Sequence, residues 1–313
     1  NKIELLYKYY FYLYNIITNT NNNEIEDMEI CNTLTRYLYS RIEVKQNIFI
    51  SLLLRDVEQA LFWGYEYYYS GFEEETFEYL KNIYDEIYAE NNPSLKEFII
   101  NLTDEWNKND DNKYDCHVGS IIYTLALRPY NMISFVKNKL NYKISKDEVS
   151  DNLMPECFIT LTSEHIEKYK TKVISLENNE KAYYLLKHVK LYPSYKEYNN
   201  LFDNKHSKTF LKIYHSELKN WLYYASKSPI WYERISEFNG IIDDNTKEVY
   251  FENENDESHF CELWDYEPDE LPTNIQELSV GSNNIKQLTI RQFCKKIKYT
   301  VISKIIRTVK KTK

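Results

Sequence analysis

Apolar residues recur every three or four positions along most of residues 1–240, and they alternate with polar ones in only one convincing place, beyond Gly240. The first period is that of an amphipathic helix and the second that of a half-buried strand. Ile3, Leu6, Tyr7, Tyr10, Phe11, Tyr14 and Ile17 predict a first helix, closed by the Asn-rich stretch 18–23. Ile25, Met28, Leu34, Leu38 and Ile42 begin a second, in which breaks are possible. Asp56 to Ser70 is apolar at 57, 60, 61, 64, 65 and 68, with Gly71 where a left-handed cap belongs. Glu73 to Ala89 follows at the same period, and Asn91-Asn92-Pro93 stops it. Two helices joined by so short a link must pack antiparallel.

Further helices are expected from Ser94 (with Glu97 completing a capping box) to Trp106, from Tyr114 to Leu127, and from Ile133 to Leu140. Ser163 to Ile174 and Asn178 to Leu191 come next, then a second capping box at Ser194 and Glu197. A long helix is predicted from Ser207 to Ser226. Ser228-Pro229 opens another, stopped by Asn239-Gly240. From Gly240 to Phe251 the chain reads as strand, polar turn, strand, followed by a short helix over Ser258 to Trp264.

The expected fold is therefore mainly α, an irregular array of antiparallel helical hairpins over 1–240 with a possible joint at 141–160. An acidic α+β appendage at 241–277 contains a small β-hairpin, and a basic amphipathic tail occupies 278–313. Five glycines in 313 residues are too few for the turns of an all-β protein.

Charge sharpens the picture of the last seventy residues. Asp243 to Glu277 holds 13 acidic residues against the single base Lys247, whereas the 36 residues after Glu277 hold ten bases and no acid. The tail places Ile290, Phe293, Cys294, Ile297, Val301, Ile305 and Val309 on one helical face, with its bases largely elsewhere. Lys295, Lys296, Lys298, Lys304, Arg307, Lys310 and Lys311 are the expected contacts to an anionic partner, which could be nucleic acid, an anionic membrane surface or an acidic protein. The equal alternative is that the tail folds back on the chain's own acidic block.

Aromatics make up 16% of the chain, with 31 Tyr and 5 Trp. Trp63, Tyr67, Trp221 and Trp231 lie on helical seams of the kind used at protein interfaces, so a protein partner is expected and an oligomer is possible. Five scattered cysteines without C-x-x-C spacing indicate a reducing compartment, and no apolar run is long enough to span a membrane.

The usual catalytic signatures are absent. There is no G-x-x-x-x-G-K-[ST] loop and no G-x-S-x-G elbow. Adjacent Cys116 and His117 should diverge on a helix. His259, Cys261 and Glu262, with Cys294 as a distant third ligand, are better read as ordinary residues than as a zinc site. Pro268-Asp269-Glu270 is similar to the start of a metal-dependent nuclease motif, but no acid-x-Lys strand follows it. No cofactor, no metal and no catalytic residue is expected.

Two resemblances add to this reading. Ser51 to Trp63, Gly71, Ile83 to Ala89 and Asn92-Pro93 resemble the helical collar of clamp-loader-like ATPases, which implies a hairpin used for oligomerisation and carries no activity without the ATPase core. Phe62 to Phe72, Trp221 to Trp231 and Tyr266 to Glu270 resemble an uncharacterised protein family of giant nucleocytoplasmic DNA viruses. That implies a viral origin and a place in the host cytoplasm, the viral factory or the virion. The expectation is a non-enzymatic interaction or scaffold protein. The alternatives are a nucleic-acid accessory factor of replication or transcription acting through the tail, and a divergent metal-dependent nuclease.

Overall fold

The computed structural model describes residues 33–108, 114–131, 158–170, 192 and 219–264. Within them the chain is mainly helical with one small antiparallel hairpin. The helices are α1 (Arg41–Leu54), α2 (Val57–Tyr68), α3 (Glu73–Ile83), α4 (Leu95–Asn107), α5 (Asp115–Leu127), α6 (Ser163–Ile166), α7 (Trp221–Ala225), α8 (Pro229–Glu237) and α9 (Glu254–Trp264). Strands β1 (Gly240–Asp243) and β2 (Glu248–Phe251) lie between α8 and α9.

Helix α2 is the centre of the packing, with α1, α3 and α5 against it. Asp56 caps it by accepting the Gln59 N–H at 3.1 Å. Every residue from Ala60 to Tyr68 is buried, so beyond its first turn this helix has no solvent face. Gly64 lets α5 come close: a Cβ there would stand 2.1 Å from Ile122 Cδ1. Gly71 turns the chain with φ +91°, as its place after the apolar run predicts. Helix α3 then widens into a π-turn over Tyr84–Tyr88 before it ends. Asn92 seals that end, its side-chain amide donating to the carbonyls of Tyr88 at 2.9 Å and Pro129 at 2.7 Å.

The hairpin pairs Gly240 with Phe251, Ile241 with Tyr250, Ile242 with Val249 and Asp243 with Glu248. Pro229 opens α8 behind Ser228, as predicted. Asn239, left-handed at φ 57°, turns the chain from α8 into β1. One apolar core runs from Leu34 through α2 and α5 to Trp231, Ile235 and Phe260.

Four local expectations change. The period through Leu34 and Leu38 does not continue a helix. Leu34 bridges Ser40 and Leu38 takes φ 60°, making a tight reversal ahead of α1. Both leucines are fully buried there, so burial satisfies the apolar pattern without helical backbone. The Ser163 helix is short, because Lys170 is already extended at ψ 149°. The helix expected from Ser207 to Ser226 is interrupted at Asn220, at φ −116° and ψ 39°. Ser94 keeps helical backbone and its side chain makes no cap hydrogen bond, so the box with Glu97 does not form. The expected helices over 3–17, 133–140 and 178–191, the Ser194 box, nearly all of the 141–160 joint, and the tail lie outside the described residues.

Candidate functional site

The aromatic residues expected at an interface are inside. Trp63, Tyr67 and Trp231 are each 0% exposed, and only Trp221 is half-buried. This corrects the surface role: the seam packs on the chain's own helices. The Trp63 ring meets Tyr39 edge-on at 4.8 Å and Phe62 at 4.9 Å. Trp231 donates its Nε1–H to the Thr35 carbonyl at 3.1 Å and lies 5.8 Å from Trp221. The Arg234 guanidinium sits over two indoles, 4.6 Å from Trp231 and 3.7 Å from Trp264.

The reversal at 33–40 carries a buried polar hub. Glu66 accepts from the Thr35 hydroxyl at 2.6 Å, Arg36 Nε at 2.8 Å and the Tyr37 N–H at 3.1 Å. Arg36 also donates to the Tyr169 carbonyl at 2.7 Å. The hub thus joins α2 to the segment that follows α6. Its charges are consumed in holding the fold.

A second ionic group lies between α1, α2 and α3. Arg41 pairs with Glu75, whose Oε2 also accepts the Tyr67 hydroxyl at 2.7 Å. The Lys45 amine lies over the rings of Tyr67 and Tyr79, at 5.4 and 5.1 Å from their centroids. Burial, and then the Arg41 charge, push Lys45 down to about 7, against the pull of Glu75 and Glu78.

Cys116 and His117 do not diverge as expected. At the start of α5, Cys116 Sγ lies 3.6 Å from His117 Nδ1, and His117 Nε2 lies 3.0 Å from Glu105 Oε2. The order thiol, imidazole, carboxylate is that of a nucleophile with its base. The electrostatics oppose it: burial and then the neighbouring Asp115 carboxylate push the thiol up, so the proton stays on sulfur. Among the described residues no group of three or more His, Cys, Asp or Glu could hold a metal ion. His259 and Cys261 both lie on α9; Cys294 and the Asp269 motif lie outside the described residues.

Among the described residues, exposed large apolar side chains stand opposite each other in strand register on the outer face of the hairpin. Ile242, Val249 and Phe251 pack inward against the core. Strand alternation then turns Ile241 and Tyr250 outward as a cross-strand pair, 36% and 51% exposed. The next pair on that face is Asp243 opposite Glu248, two like charges whose juxtaposition is unfavourable. Asp243 Oδ1 accepts the N–H groups of Asn245 at 2.8 Å and Thr246 at 3.4 Å, and these bonds hold its carboxyl below the usual range. Asp244 is engaged separately, taking Lys227 Nζ at 2.5 Å and the Tyr223 hydroxyl at 3.0 Å. The alternation from Ile241 to Phe251 could have shown this face in the sequence, but it does not say which side is inward.

Comparison with known proteins finds no matching family, no similar curated protein and no similar solved structure. The seven basic residues expected to meet an anionic partner, Lys295, Lys296, Lys298, Lys304, Arg307, Lys310 and Lys311, lie outside the described residues. No described helix is long and apolar enough to cross a membrane.

Proposed function

We propose that this chain is a non-enzymatic interaction protein of a large DNA virus, acting as a scaffold in the virion or at the replication site, with the outer hairpin face as its contact surface. The observation that supports the reading is the exposed Ile241–Tyr250 pair beside the Asp243–Glu248 pair. A partner covering this face would remove an aromatic and an aliphatic side chain from water, and a cation on it would relieve the like-charge pair. Two of the three stretches that resemble the giant-virus family meet in the core, where the Ile230 N–H donates to the Ser70 carbonyl at 3.3 Å. The buried aromatics give the face a rigid support.

The test is size-exclusion chromatography of the full chain from infected-cell extract, beside an Ile241→Glu, Tyr250→Glu double variant. The wild-type chain is expected well above its own 37.9 kDa in a defined complex. The double variant is expected at the free mass with an unchanged melting temperature. A wild-type chain that elutes alone, or a variant that keeps the complex, overturns the reading.

A further inference from the structure

We infer that the basic segment 286–313 of this same chain covers the outer face of the β1–β2 hairpin and latches it. The inference rests on the reading of that face as a docking surface and names its resting occupant.

The first argument is chemical match. Across 240–264 acids outnumber bases eight to one, and Asp243 and Glu248 share the face with Ile241 and Tyr250. The occupant must therefore present an apolar seam flanked by cations. Residues 286–313 hold ten bases, no acid, and Ile290, Phe293, Ile297, Val301 and Ile305 at helical spacing. Setting a Lys or Arg against Asp243 and Glu248 changes a repulsive cross-strand pair into a bridged one.

The second argument is reach. Lys286 follows Trp264, the end of α9, by about twenty residues, a length of chain whose maximum reach is on the order of 70 Å at about 3.3 Å per residue. The hairpin immediately precedes α9, so the tail meets this face as an intramolecular ligand. Its effective concentration is then on the order of millimolar, far above that of a second copy or a free partner. Weak exposed ion pairs are too feeble alone, but with a tether and an apolar seam they suffice for closure.

The test is hydrogen–deuterium exchange with mass spectrometry on the full chain. Amides of 290–305 are expected to exchange about tenfold more slowly in the wild type than in an Ile241→Lys, Glu248→Lys variant, with α2 amides unchanged. Conversely, Ser in place of the seven bases from Lys295 to Lys311 should raise exchange in β2. Raising salt should release the tail without altering α2. Tail exchange that is equally fast in wild type and variant overturns the latch. Protection that fades on dilution also overturns it, in favour of a second copy. If the latch fails while the chromatographic complex still depends on Ile241 and Tyr250, the docking face stands and only its resting occupant is wrong. If the tail is protected in a face-dependent manner and no complex forms, the latch stands and the separate partner is lost.

Discussion

Arg36 donates its Nε–H to Glu66 across 2.8 Å, with the two side chains 1% and 0% exposed. Thirty residues separate them, and the pair holds the 33–40 reversal against α2. Breaking one partner of a buried pair leaves the other charge stranded. Glu66→Ala is therefore expected to cost about 3–5 kcal/mol in urea denaturation. Arg36→Met combined with Glu66→Ala should cost less than the two single losses added together, because no lone charge remains. A Glu66→Ala loss below about 1 kcal/mol would show that the hub does not hold the reversal.

Lys45 makes stability depend on pH. Its folded value of about 7 lies below the ordinary 10.5, so between these limits the unfolded chain binds the extra proton. Stability must rise with pH across that window. The penalty is complete below about 7 and absent above about 10.5. Arg41, Tyr67, Glu75, Glu78 and Tyr79 surround the amine and shape the midpoint. The buried tyrosines act in the opposite sense. Burial raises Tyr39, Tyr65, Tyr67, Tyr79 and Tyr88 above 10.0, so their contribution is intact below pH 10 and lost above it. Thermal midpoints should climb from pH 7 toward 10 and then fall. Lys45→Met should flatten the climb and leave the fall; an unaltered climb would assign it to another group.

Gly64→Ala sets helix propensity against packing. Alanine favours a helix by about 1 kcal/mol over glycine. Its Cβ would stand 2.1 Å from Ile122 Cδ1, and overpacking of this kind costs about 1–3 kcal/mol. The expected result is a net loss of stability, partly restored by Ile122→Val, which deletes that methyl. A stabilised Gly64→Ala chain in differential scanning calorimetry would mean that α2 and α5 separate freely.

Trp231 and Tyr232 are neighbours with opposite fates. Trp231 is fully buried and Tyr232 is 58% exposed. Trp231→Ala is expected to cost about 3–5 kcal/mol of stability. Tyr232→Ala should stay within about 0.5 kcal/mol. Trp231→Phe keeps much of the volume but strips the donor from the Thr35 carbonyl, for an intermediate loss of about 1–3 kcal/mol. Equal melting temperatures for Trp231→Ala and the wild type would return Trp231 to the surface role read from its sequence.

Much of the fold was legible where the signal is local. Asp56 before an apolar-periodic run, Gly71 after it, and Asn92-Pro93 beyond the next helix each mark a boundary through their own backbone chemistry. Ser228-Pro229 opens α8 for the same reason, and the turn from Asp243 to Glu248 closes the hairpin as its polar residues imply. The candidate site was far less legible. The apolar spacing around Trp63 and Trp231 is the same whether the seam meets a partner or the rest of the chain. The reversal at Leu34 to Ser40 mimics a helical period because its two buried leucines stand four residues apart.

The sequence by itself determined the mainly helical class, the helical hairpin around Gly71, the strand pair beyond Gly240 and the opposed charges of its last seventy residues. These depend on periodicity, turn chemistry and charge counts, which act over a few bonds or need no geometry. Only the tertiary structure decided that Trp63, Tyr67 and Trp231 are core, that Arg36 meets Glu66, that His117 lies between Cys116 and Glu105, and that Ile241 and Tyr250 point outward. Burial of a side chain is a property of what packs over it. For Trp231 that cover includes Thr35, 196 residues earlier in the chain, and no local pattern encodes a contact of that span.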